Sequence, residues 1–60
     1  MSKTYQPTYL DPTDTDLLPR VGSIVKVEPC IYNEADDRLW CLAVFEDNYK
    51  IECLLTDIQN

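Results

Sequence analysis

Eight carboxylates fall in three short runs of the sequence: Asp11, Asp14 and Asp16; Glu34, Asp36 and Asp37; and Glu46 with Asp47. Grouped carboxylates can share a proton for acid–base chemistry, hold a divalent cation, or meet the lysines and arginines of another protein. The first use needs an apolar wall that raises one pKa, and the second and third runs read as solvated loops without one. Asp14-Thr15-Asp16 echoes the start of an EF-hand loop, but the glycine and closing glutamate at the required offsets are missing. Cys30, Cys41 and Cys53 are spaced by 11 and 12 residues, without the close pair of a structural zinc site, which leaves at most a three-cysteine site completed by a carboxylate. There is no histidine, so the commonest general base and zinc nitrogen ligand are absent. With Gly22 the only glycine, no phosphate-cradling loop can form. The expectation is no enzyme, no metal and no cofactor.

Binding is the remaining chemistry. With 5 Lys+Arg against 11 Asp+Glu and a formal net charge of −6, phosphate would repel the chain, so direct nucleic-acid contact is not expected. No apolar stretch approaches the roughly 20 residues of a membrane span. The carboxylates suit a larger protein with a basic surface instead. On an extended strand residues i and i+2 lie ~6.6 Å apart, close to the spacing of phosphates along one nucleic-acid strand. Acidic rows of that geometry could occupy the groove of a protein that handles nucleic acid. Ordinary solubility charge is the plain alternative, because −6 is normal for a small soluble domain.

The elements that must position these groups change character near residue 20. Residues 1–20 hold three of the four prolines, Pro7, Pro12 and Pro19, and no hydrophobic period survives across them. They predict an extended or partly disordered N-terminal arm, with Tyr5, Tyr9, Leu17 and Leu18 available to cover a sheet. Asp11-Pro12 marks the start of one helical turn through Leu17, which Pro19 stops. Residues 21–60 read as a small β domain. Val25 and Val27 alternate with Lys26 and Glu28, Pro29 bends the strand or places it on an edge, and Cys30-Ile31-Tyr32 continue it. The acidic stretch 33–37 reads as a turn. Arg38-Leu39-Trp40-Cys41-Leu42-Ala43-Val44-Phe45 is the near-continuous apolar run of a central strand, and Tyr49, Ile51, Cys53 and Leu55 alternate in its hairpin partner.

Two hairpin registers are open. A two-residue loop at Asp47-Asn48 groups Trp40, Leu42 and Val44 with Tyr49, Ile51, Cys53 and Leu55. A three-residue loop with Asn48 in the left-handed region pairs Phe45 with Tyr49, and sets Leu39, Cys41 and Ala43 opposite Leu55, Cys53 and Ile51. The second is preferred because it segregates polarity better. Trp40, Leu42, Val44 and Leu54 then share the other face with Lys50 and Glu52. It also sets Cys41 directly opposite Cys53, the pair that could form a disulfide or act in redox chemistry, while Cys30 is left over near the Pro29 bend. The first residues, Met-Ser-Lys-Thr-Tyr, lack the apolar stretch of a signal peptide, so an intracellular protein with mainly reduced cysteines is expected.

Val21-Gly22-Ser23-Ile24-Val25 and Leu39-Trp40-Cys41-Leu42-Ala43-Val44 give residues 21–59 a resemblance to SH3-like or Tudor-like small barrels. Trp40, Tyr32 and Tyr49 do not assemble the aromatic cage of a Tudor reader. The expected fold is mainly β: a small antiparallel sheet or partly open SH3-like barrel built on the C-terminal hairpin, with an extended N-terminal arm. A chain this small sits near the balance of burial against ordering entropy, so a staple, a partner or self-association is expected, with three cysteines a weak source of the first. The expected function is a small acidic adaptor or inhibitor, a nucleic-acid mimic in its strongest form and viral by analogy of size and charge. It would dock through Trp40, Leu42, Val44 and Leu54, while Asp14, Asp16, Glu34, Asp36, Asp37, Glu46 and Asp47 engage a basic partner. The alternative is a constitutive small subunit or homodimer using the same apolar face.

Overall fold

Strand β4 (Arg38–Phe45) is the spine of the sheet, because Leu39 through Phe45 supply an uninterrupted run of apolar side chains that both faces can use. The computed structural model describes residues 2–60. In chain order they form β1 (Lys3–Tyr5), a 3-10 turn (Leu18–Arg20), β2 (Ile24–Val27), β3 (Ile31–Asn33), β4, β5 (Lys50–Leu54), a second 3-10 turn (Leu55–Asp57) and β6 (Ile58–Gln59). The antiparallel order is β3-β4-β2-β1-β6, with β5 joined to β4. Trp40, Ala43 and Val44 pair with β5 and also with β3 or β2, so β2 and β3 share one edge of β4 and β5 takes the other. The sheet curls into an open half-barrel, a small SH3-like β fold.

The β4–β5 hairpin takes the three-residue-loop register. Cys41 faces Cys53 and Ala43 faces Ile51, and the Phe45 N–H donates to the Tyr49 carbonyl at 2.8 Å. Asn48 closes the loop at φ 70°, a left-handed conformation that asparagine adopts more easily than most residues.

β2 and β3 are one strand interrupted by a bulge. Val27 faces Ala43 and Ile31 faces Trp40, so Glu28, Pro29 and Cys30 stand opposite only Cys41 and Leu42. Pro29 is tolerated there because a bulged residue need not donate to the ladder. The extra residue shifts the alternation by one. Val25 and Val27 point to the inner face before it, whereas Ile31 after it is turned outward and is 74% exposed. Cys30 arrives opposite Cys41, with Cα atoms 4.3 Å apart, and the two form a disulfide. This corrects the expectation that any disulfide would join Cys41 to Cys53 and leave Cys30 over. In an unbulged ladder Cys30 would lie on the outer face beside Trp40; the bulge delivers it to the inner one. Cys53 is the buried free thiol, so the expectation of mainly reduced cysteines fails for the other two.

The core lies inside the curl. Tyr5, Val25, Ala43, Phe45 and Cys53 are buried together, with Leu17, Val27, Ile51 and Ile58 packed around them. Ala43 is fully buried in the row Val27–Ala43–Ile51, where a small residue between two branched ones leaves room for the sheet to curl. Tyr5 meets Phe45 edge-to-face, ring centroids 5.7 Å apart, a favoured geometry for an aromatic pair.

The N-terminal segment is woven into this core. β1 lies between β2 and β6, with Lys3 facing Val25 and Tyr5 facing Ile58. Tyr5 and Leu17 pack inward, whereas Tyr9 and Leu18 are exposed. The loop from 6 to 23 is pinned at its base, where the N–H of Gly22, at φ 83°, donates to the Tyr5 carbonyl at 2.7 Å. The predicted helical turn is displaced. The Asp11 carboxylate accepts from the Thr13 N–H at 2.9 Å, and Asp14 holds the turn that leads into the 3-10 segment, accepting from the Asp16 and Leu17 N–H groups at 3.2 and 3.1 Å. Pro19 sits inside the 3-10 turn rather than ending it, because the first turn of a helix needs no N–H there.

Candidate functional site

The outer face of the sheet is ordered in cross-strand rows. Ile31, Trp40 and Leu54 form one; Leu42 and Glu52 form the next; Lys26, Val44 and Lys50 form a third. The four residues expected to make one exposed patch are all half-buried, and they separate. Val44 lies between two lysines and leaves the apolar surface. Leu54 turns toward a hollow of about 600 Å³ shared with Tyr32, Leu39 and Leu55. Trp40 and Leu42 remain, joined by Ile31 and Pro29, in an open groove of about 720 Å³ whose polar lining includes Glu34 and Glu52.

The indole is oriented by the turn that precedes β4. Trp40 Nε1–H donates to Asp36 Oδ2 at 2.8 Å, while Asp36 Oδ1 accepts from the Arg38 N–H at 3.1 Å. One carboxylate thus caps the turn and satisfies the indole's polar atom, leaving the ring as apolar surface. Asp37, at φ 58°, accepts from the Tyr32 hydroxyl, and that bond holds the phenol above its ordinary pKa.

The acidic runs do not form rows. Asp14, Asp16, Glu34, Asp36, Asp37, Glu46 and Asp47 all lie in loops and turns and none on a strand, which removes the phosphate-like spacing expected of them. The turns carrying Glu34, Asp36 and Asp37 and carrying Glu46 and Asp47 flank opposite ends of β4, whose eight residues span roughly 23 Å at ~3.3 Å per residue. Asp14, Asp36, Asp37 and Asp47 serve neighbouring groups of this chain. Asp16, Glu34 and Glu46 make no side-chain hydrogen bond among the described residues.

Asp47 is held most firmly. Arg20 forms a bidentate pair with it, both N···O distances 2.9 Å, and lies over the Tyr49 ring at 4.1 Å. The guanidinium bond, helped by the Tyr49 N–H, pulls the Asp47 carboxyl down to about 2. Asp47 therefore ties the long loop to the hairpin. Sequence reasoning missed Arg20 and Ile31. A cation isolated among acids marks the first, and a bulging proline marks the second, if Pro29 is taken to shift phase rather than to bend the strand.

Among the described residues no group of cysteines and carboxylates gathers to hold a metal ion, and no helix is long and apolar enough to cross a membrane. No protein family, curated protein or solved structure matches this chain.

Proposed function

We propose that this protein is a small binding adaptor or inhibitor, without chemistry of its own, that docks a larger protein through the groove around Trp40. The observation that carries the proposal is the pairing of an indole whose N–H is already satisfied with a 74% exposed Ile31 beside it. Burying both in a partner gains apolar contact without stranding a polar atom. Glu34 and Glu52 in the groove lining, on a chain of net charge −6, favour a partner whose rim is rich in lysine and arginine.

Pull-downs from native lysate at low and moderate salt test this, using the wild type, Ile31→Glu and Tyr9→Ala. Ile31 and Tyr9 are both highly exposed, so neither change threatens the fold. A partner retained by Tyr9→Ala, lost with Ile31→Glu and weakened by salt supports the proposal. A partner indifferent to Ile31→Glu and to salt overturns it. The same apolar groups would serve permanent self-assembly, and sedimentation separates the two uses: a salt-insensitive dimer that Ile31→Glu dissociates would favour the subunit reading.

A further inference from the structure

Cys30, Cys41 and Cys53 occupy a single cross-strand row on the inner face. Cys41 lies in the central strand, bonded to Cys30 on one side and facing Cys53 on the other. Cys41 and Cys53 are 2% and 5% exposed, whereas Cys30, next to Pro29 in the bulge, is only half-buried. We propose that Cys41 has two alternative disulfide partners, and that exchange between them moves the free thiol from the core to the half-buried bulge at Cys30.

Directly opposed residues in an antiparallel pair have Cβ atoms ~4.5–5.5 Å apart, so Cys53 is within a rotamer change of Cys41. Displacement at a disulfide needs the attacking sulfur on the side away from the leaving one, and the row sets Cys53 and Cys30 on opposite sides of Cys41. The Cys53 thiolate attacks Cys41 Sγ, and the Cys41–Cys53 bond forms as the Cys30–Cys41 bond breaks. The electron pair departs on the Cys30 sulfur, which takes up the proton Cys53 gave. One disulfide and one thiol remain, so no oxidant or reductant is consumed. Cys30–Cys41 is the resting link; burial of Cys53 in the cluster it shares with Tyr5, with the Asp57 charge added, pushes its thiol up, so exchange is slow. Its product is a Cys30 thiol beside Pro29 and Ile31, accessible to glutathione or a partner's cysteine. The exchange does not depend on the proposed docking role.

Trypsin separates the three sulfurs, because Lys26, Arg38 and Lys50 place Cys30, Cys41 and Cys53 on different peptides. The oxidised protein is held folded near pH 8.5, about the pKa of an ordinary cysteine thiol, then blocked with N-ethylmaleimide at intervals and digested. At the start, peptide 27–38 should be joined to 39–50, with the label on 51–60. With time, a 39–50 to 51–60 link and label on 27–38 should appear, and Cys30→Ser should form the Cys41–Cys53 link under mild oxidation. Label confined to Cys53 throughout, a Cys30→Ser protein that keeps two free thiols, exchange seen only in unfolding urea, or a Cys30–Cys41 bond that never forms would each overturn the proposal. None of these readouts involves partner binding.

Discussion

Two residues of the hairpin loop show how single side chains set local behaviour. Asp47 has its pKa lowered from 3.8 to about 2 by Arg20. A carboxyl held low in the folded state adds stability above its ordinary pKa and loses that contribution as pH falls through the folded value. Thermal melts should therefore drop between about pH 4 and 2 in the wild type, and Asp47→Asn should flatten that limb while melting lower near neutrality. The neighbouring Asn48, at φ 70°, should accept glycine with little change. Asn48→Val should cost about 1–2 kcal/mol in urea unfolding, the penalty of the left-handed region for a side chain branched at Cβ. The asparagine's conformation is legible from its residue type. The Arg20–Asp47 pair is less so: Arg20 stands out as a cation among acids, but at a sequence separation of 27 nothing says which acid it meets.

At the scale of elements, the hairpin is written plainly in the sequence, because eight consecutive apolar-rich residues and a strictly alternating partner allow few other arrangements. The place of β1 is less plain. Three residues, Lys3–Tyr5, carry too little pattern to reveal a strand, yet Tyr5 is 4% exposed in the core and its strand bridges β2 to β6. Tyr5→Ala should destabilise by about 3–5 kcal/mol, as large aromatic truncations do. Removing residues 1–6 should abolish the cooperative transition, with circular dichroism melts as the readout. Either truncation behaving as wild type would show that the segment is a mere appendage. The outer face is half legible for a related reason: the hairpin register already sets Lys50 beside Val44, but only the pairing of β2 with β4 brings Lys26 to its other side.

For the whole molecule, the open half-barrel leaves an apolar groove and an adjacent hollow on a strongly anionic body, and the binding proposal belongs to this scale. Ile31→Glu should leave stability within about 0.5 kcal/mol of wild type, as exposed substitutions usually do, while eliminating partner capture. Charge reversal at Glu34, which makes no side-chain hydrogen bond among the described residues, should weaken capture mainly at low salt, whereas reversal at Asp36 should also release the indole and change Trp40 fluorescence. The mainly β architecture and its SH3-like character were legible because hydrophobic alternation encodes them. The groove was only half legible, since its second anchor depends on a change of phase that Pro29 signals only if it bulges the strand rather than bending it.

That change of phase ties two properties together. Pro29 immediately precedes the cross-linked Cys30, with the outward Ile31 next, and both features exist because three residues span a gap meant for two. Replacing any one of the three alters its chemistry but keeps the count. Adding a residue to the segment would swap inside for outside beyond it, so Ile31 would face the core just as Cys30 swung out of reach of Cys41. Length polymorphism at 28–30 would therefore remove staple and anchor in one event, and neither can be lost by that route while the other is kept.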